Sequence, residues 1–184
     1  MVPRQRVYLP ASLSRLLPAA LLVALAVAGC GGSEATREAR AQLVAGPSFS
    51  FQAPFDWERA RTPRSASAKP PQPGAEELVS VTTFPLVKPF RPRLWPQVAR
   101  ELDRLAEQLS RQLGGAVEAS RTVQIAGLPG RRYDISYARG DARLRQRIVF
   151  LLRRRTEYQL LCRWRQGERE PAACRLLMES FRLR

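Results

Sequence analysis

Between residues 116 and 165 the chain carries four strand-like runs with only a few turn-forming residues between them, and this spacing restricts the fold more than any other feature. The runs are 116–125, 131–138, 142–152 and 156–165, parted by Gly127-Leu128-Pro129-Gly130, Arg139-Gly140-Asp141 and Arg153-Arg154-Arg155. Parallel neighbours need a crossover of about a dozen residues or more. Connections this short therefore predict antiparallel strands in a meander.

Alternation assigns the faces. Arg143, Arg145, Arg147, Val149 and Leu151 fall on one side of their strand, and Leu144, Ile148, Phe150 and Leu152 on the other. In the next run, Arg163 and Arg165 lie opposite Tyr158, Leu160, Cys162 and Trp164. A three-residue loop flanked by Arg153 and Glu157 would pair Arg147 with Arg163 and Arg145 with Arg165. Like charges directly across a ladder cost stability. Solvation, acidic neighbours or an anionic ligand held by guanidinium forks would compensate. Arg145, Arg147, Arg163 and Arg165 are thus the candidate anion-binding face.

The remaining elements fit around this sheet. Val98, Leu102, Leu105, Leu109 and Leu113 draw one apolar stripe and predict a helix over 96–113, closed by Gly114-Gly115. Phe49 and Phe51 mark a first strand within 48–57, and the β-branched run 77–84 a second. Residues 61–74, rich in Pro, Ser and basic side chains, read as a mobile loop. Pro171 suits the first turn of a short closing helix over 171–181. The sum is an α+β domain.

Phe49-Ser50-Phe51 with Pro54-Phe55-Asp56-Trp57, then Val123-Gln124-Ile125-Ala126-Gly127, Tyr158-Gln159-Leu160 and Leu177-Met178-Glu179-Ser180-Phe181, occur in an order that resembles the PsbP-like group of exported proteins. The resemblance covers 48–184 and implies an α/β/α sandwich with a central antiparallel β-sheet, one long helix and a short C-terminal helix. That group includes photosystem accessory proteins and bacterial lipoproteins of unknown role. The metal-linked histidines of its photosynthetic branch have no counterpart here, and no functional residue transfers.

The N-terminal region decides the address. Arg4, Arg6 and Arg15 precede the apolar run Leu16-Leu17-Pro18 to Val27-Ala28-Gly29-Cys30, the layout of a secretory signal peptide. Its last four residues resemble a bacterial lipobox, which implies cleavage after residue 29 and lipid on Cys30. The expected organisation is a lipoprotein signal peptide over 1–29, a tether over 30–47 and one domain over 48–184. The alternative for the same run is an uncleaved membrane-spanning helix, although Pro18, Gly29, Gly31 and Gly32 leave it short of the ~20 apolar residues a span needs. The two or three chains of a bacterial lipoprotein would make attachment lasting. The predicted location is the outer face of the bacterial cell membrane, or an outer membrane where one is present.

Charge and residue usage narrow the chemistry. Thirty-one basic residues face 16 acidic ones, and only three of the basic ones precede Cys30. A positive field attracts any polyanion. After export the available ones are anionic lipids and acidic envelope polymers, and nucleic acid is not an expected partner. The bland account is an arginine-rich solvated surface, since only Lys69 and Lys88 are lysines.

The chain has no histidine, which excludes serine–histidine and cysteine–histidine nucleophiles and removes the commonest transition-metal ligand. Cys162 and Cys174 remain as an even pair in an oxidising compartment and predict a disulfide. No cofactor, metal site or catalytic residue is expected. Two functions stay in view: a non-enzymatic, lipid-anchored binding or accessory module, and an envelope enzyme working with carboxylates. Asp56, Glu58, Asp134 and Asp141 are the carboxylates placed beside loops or strands for the second, with Asp134 next to Arg132 more simply an ion pair.

Overall fold

The structure, a computed structural model, describes residues 40–184. Residues 1–29, expected to be a signal peptide, and Cys30 lie outside the described residues. In chain order the elements are β1 (Ala41–Ala45), β2 (Phe49–Pro54), β3 (Glu58–Arg61), β4 (Ser65–Lys69), β5 (Leu78–Pro85), α1 (Trp95–Gln112), β6 (Ala116–Ile125), β7 (Leu128–Arg139), β8 (Ala142–Arg153), β9 (Thr156–Arg165), α2 (Ala172–Ser180) and β10 (Arg182–Leu183).

Seven strands form one antiparallel sheet in the order β3-β4-β5-β9-β8-β7-β6, so the expected meander of β6 to β9 is its larger half. The first hairpin turns at Ala126-Gly127, with φ of 50° and 74°, and Ile125 pairs directly with Leu128. Leu128, Pro129 and Gly130 therefore belong to β7 rather than to the turn. A Cβ at Gly130 would come within 2.5 Å of Leu151 Cδ2, so any larger residue there would force that buried side chain to shift.

The β8–β9 loop has two residues, Arg154 and Arg155, with Arg154 at φ 53°, instead of the expected three. Two-residue hairpins of this kind match the natural strand twist. The register consequently moves by one: Arg147 pairs with Cys162 and Arg145 with Trp164, while Arg163 faces Gln146.

Helix α1 covers one face of the sheet, where Leu102 and Ala106 pack with Tyr133, Ile135, Ile148 and Phe150. Its buried line runs through Leu102, Ala106 and Ser110, so Leu105 on the predicted stripe is left 41% exposed. Asp103 fastens the helix to β7, accepting from Arg131 Nε at 2.8 Å and from the Tyr133 hydroxyl at 2.6 Å.

The other face is covered by α2 together with a three-stranded sheet, order β1-β2-β10, that the sequence reading lacked. Phe49, Phe51, Leu160, Trp164, Leu177 and Phe181 fill the core between these layers. Cys162 on β9 and Cys174 on α2 are joined by a disulfide, Cα atoms 5.6 Å apart, which pins the helix to the sheet.

Two boundaries are corrected. Residues 41–45, assigned to the tether, form β1, because Val44 inserts beside Phe51 and is buried. Residues 65–69, assigned to the mobile loop 61–74, form β4. Its Ala66 and Ala68 are only 1% and 0% exposed against Val81 and Val79, so alternating alanines suffice where the inner layer is tight.

A groove between the C-terminal helix and the sheet

On the face that carries α2, the sheet bears a compact charged network. Asp134 on β7 accepts from Arg132 Nε and Nη2 at 3.2 and 2.6 Å, and from Arg147 Nε and Nη2 at 2.8 and 3.2 Å. Arg147 Nη1 lies 2.5 Å from Glu170 Oε1, at the approach to α2. The same guanidinium sits 5.5 Å from the centre of the Trp164 ring.

Alternation explains the arrangement: Arg132 and Asp134 share one face of β7, and Arg147 stands directly across the ladder from Asp134. Arg147 is only 7% exposed. Burial works to raise the Asp134 carboxyl, but hydrogen bonds and charge from Arg147 and Arg132 outweigh it and hold the group below the usual carboxylate range. Burial likewise opposes the charge of Arg147, and Asp134 and Glu170 more than restore it.

Beside this network, α2 and strands β6 to β8 enclose a groove of about 490 Å³. Val123 and Ile125 from β6, Val149 from β8 and Met178 from α2 provide its apolar lining. Arg121, Arg132, Arg147 and Arg175 bring cations to it, against the carboxylates of Glu170 and Glu179. Arg121 on β6 pairs directly with Arg132 on β7. Neither Arg121 nor Arg175 has a carboxylate partner among the described residues.

The four arginines expected to make one anion-binding face do not share it. The shifted register leaves Arg145 and Arg147 on the α2 side and places Arg163 and Arg165 on the α1 side. Arg145 Nη2 lies 2.6 Å from Glu118 Oε2, Arg147 is committed to Asp134 and Glu170, and Arg163 Nε donates to the Glu76 carbonyl at 3.0 Å. Arg165 borders a separate acidic cleft with Asp56, Glu76, Glu77 and Glu168. There, burial first and the charge of Glu168 second push the Glu77 carboxyl above its ordinary value.

Arg121 and Arg175, which line the groove without an acidic partner among the described residues, were not singled out from the sequence. Their signal was present in the alternation of Arg121, Val123 and Ile125, and in Arg175, Met178 and Glu179 spaced on one side of a short helix. Two buried donors, Arg145 Nε and Trp164 Nε1, have no acceptor among the described residues and stand at paired positions of β8 and β9. Among the described residues no group of three or more Cys, Asp or Glu is placed to hold a metal ion. Both described cysteines are used in the disulfide.

No family model and no curated protein matches the chain. Solved structures do resemble it. Cyanobacterial PsbP from Synechocystis sp. PCC 6803 superposes with a TM-score of 0.57 at 12% identity, covering 86% of this chain and 99% of that one. A Bacteroides thetaiotaomicron protein gives 0.52 at 11% identity over 74% of this chain. The match spans 45% of the length of that protein. LpqN of Mycobacterium tuberculosis, described as involved in cell envelope biogenesis, gives 0.48 at 14% identity over 78% of this chain and 90% of its own. At these identities the likeness is one of fold, and the fold is PsbP-like.

Proposed function

We propose that this chain is an exported protein held by lipid on Cys30 at the outer face of a bacterial membrane, and that its PsbP-like domain works as a binding module through the groove beneath α2. The observation that carries the binding role is the groove itself: a concave, partly apolar surface in the ~300–1,000 Å³ range of small-ligand sites, lined by Arg121 and Arg175, which lack acidic partners among the described residues. A non-catalytic role is supported by the state of the nearby acids. Asp134 is locked between two guanidinium groups and has its proton affinity lowered, the opposite of what a general acid needs. The anchor is supported by the basic, apolar and small-residue order that ends at Cys30.

The carboxylate-enzyme reading is favoured by one feature, the raised Glu77 in the cleft with Asp56 and Glu168. Release of soluble fragments from envelope polysaccharide by the wild type, abolished in Glu77→Gln, would support that reading against the binding one.

Two measurements test the proposal. Mass spectrometry of protein extracted from its own envelope should find an acylated Cys30 at the N-terminus, and any other N-terminus contradicts the anchor. Native mass spectrometry in neutral detergent should detect a non-covalent adduct on the wild type that is lost in Met178→Trp, which fills the groove. A wild type without any adduct, or one unchanged by the substitution, contradicts the binding site.

A further inference from the structure

We infer that the groove beneath α2 takes an amphiphilic phosphate, a single phosphate group on a short apolar stem. The inference rests on the reading of the groove as a binding site and specifies the chemistry of its ligand. Arg121 and Arg132 are directly opposed across the β6–β7 ladder, an arrangement that costs stability unless countercharge is supplied. Asp134 supplies it to Arg132, through hydrogen bonds of 3.2 and 2.6 Å. No carboxylate of the described residues lies within ion-pair distance of Arg121, or of Arg175, which reaches the same groove from α2 and donates to the Glu170 carbonyl at 3.2 Å. Guanidinium forks bind phosphate bidentately and retain their charge at any physiological pH.

The rest of the lining limits the ligand further. Val123, Ile125 and Met178 are half-buried hydrophobic residues packed against the core, and they leave apolar surface beside the cations. An inorganic anion would leave that surface in water, and a neutral alkyl compound would leave Arg121 without countercharge. The carboxylate of Glu179, also in the lining, disfavours polyphosphates relative to a single phosphate. The volume, about 490 Å³, suits a headgroup with several carbons of chain and is too small for a folded partner. A free alkyl phosphate and the headgroup region of a phospholipid share this chemistry.

The test is calorimetric titration of the full chain in neutral detergent with octyl phosphate, dihexanoyl phosphatidylglycerol, inorganic phosphate and octyl glucoside. Saturable binding of octyl phosphate or of the short-chain lipid is expected, at least about tenfold tighter than inorganic phosphate or octyl glucoside. Preference for octyl phosphate assigns a soluble ester, and preference for the lipid assigns a headgroup. Arg121→Ala with Arg175→Ala should weaken the preferred ligand by about tenfold or more. Both side chains are exposed, so the melting temperature should be kept, and this variant also measures partition into micelles. Arg121→Lys with Arg175→Lys keeps charge without the fork and should fall between. Equal binding of octyl glucoside, unchanged affinity in the alanine variant, or no saturable binding overturns the assignment. A native-mass adduct that persists while these phosphates fail to bind would leave the groove a binding site for another ligand class.

Discussion

Arg147 Nη1 lies 2.5 Å from Glu170 Oε1, on the same guanidinium whose Nε donates to Asp134 Oδ1 at 2.8 Å. One buried side chain on β8 thereby ties β7 to the segment that leads into α2. The disulfide ties α2 to β9 a short distance away. Arg147 and Glu170 both line the groove, so the ion pair that holds this segment to the sheet is also part of the groove wall.

Removing Asp134 leaves Arg132 and Arg147 side by side without their shared carboxylate. Breaking a buried charge network by deleting one partner costs about 3–5 kcal/mol, so Asp134→Ala should lower the stability seen in urea unfolding by that order. Arg121→Ala, at an exposed position, should change it little. A loss under about 0.5 kcal/mol for Asp134→Ala, the range of ordinary surface changes, would mean that the network is solvated.

The same carboxyl sets an acid response. Its folded pKa is depressed, so its contribution is fully present above the unfolded value of about 3.9 and is lost as pH falls through the folded one. Wild-type stability should drop across that acid window more steeply than that of Asp134→Asn. Parallel pH profiles for the two proteins would contradict the depressed pKa.

Glu77 has the opposite sign. Burial and Glu168 raise its folded pKa, so the native state holds this proton more tightly than the unfolded chain does. Its penalty is absent below the unfolded value of about 4.3 and develops as pH rises through the folded pKa. Glu77→Gln should melt higher than wild type at pH 7 and alike at pH 4. A lower melting temperature at pH 7 would show that Glu77 makes a favourable charged contact.

Cys162 and Cys174 close a short loop with a sequence separation of 12. On the chain-entropy account such a closure is worth about 3 kcal/mol. The double alanine variant should lose that order of stability in unfolding experiments, with α2 showing the largest rise in amide exchange. Uniform exchange across the domain would show that the bond does not act through the helix.

The β6–β9 half of the sheet, both helices and the disulfide were legible because their signals are local. Period-two alternation marked β6 to β9, a repeat of three and four marked α1, and two cysteines remained to pair. The arginine face was misplaced by one residue of loop: alternation assigned Arg145 and Arg147 to one face of their strand, but register depends on how many residues turn between Arg153 and Thr156. Strands β1 and β4 were missed because Val44, Ala66 and Ala68 are small or isolated apolar residues whose burial comes from distant partners. The groove was hidden for the same reason. Arg121 and Arg175 come together only when the C-terminal helix folds back across the sheet.

Met178 lies in the groove, and the sequence has two methionines, the other being Met1. The most direct measurement is therefore a methyl-methionine NMR titration of protein extracted from the envelope, with octyl phosphate or dihexanoyl phosphatidylglycerol. With the signal segment removed, one methyl resonance should appear. It should move to saturation in the wild type and need about tenfold or more ligand to do so in the Arg121→Ala, Arg175→Ala variant. A second resonance from Met1 would contradict processing at Cys30. A Met178 signal that stays still at saturating concentrations of both ligands, or saturates at the same concentration in the variant, would contradict the phosphate groove.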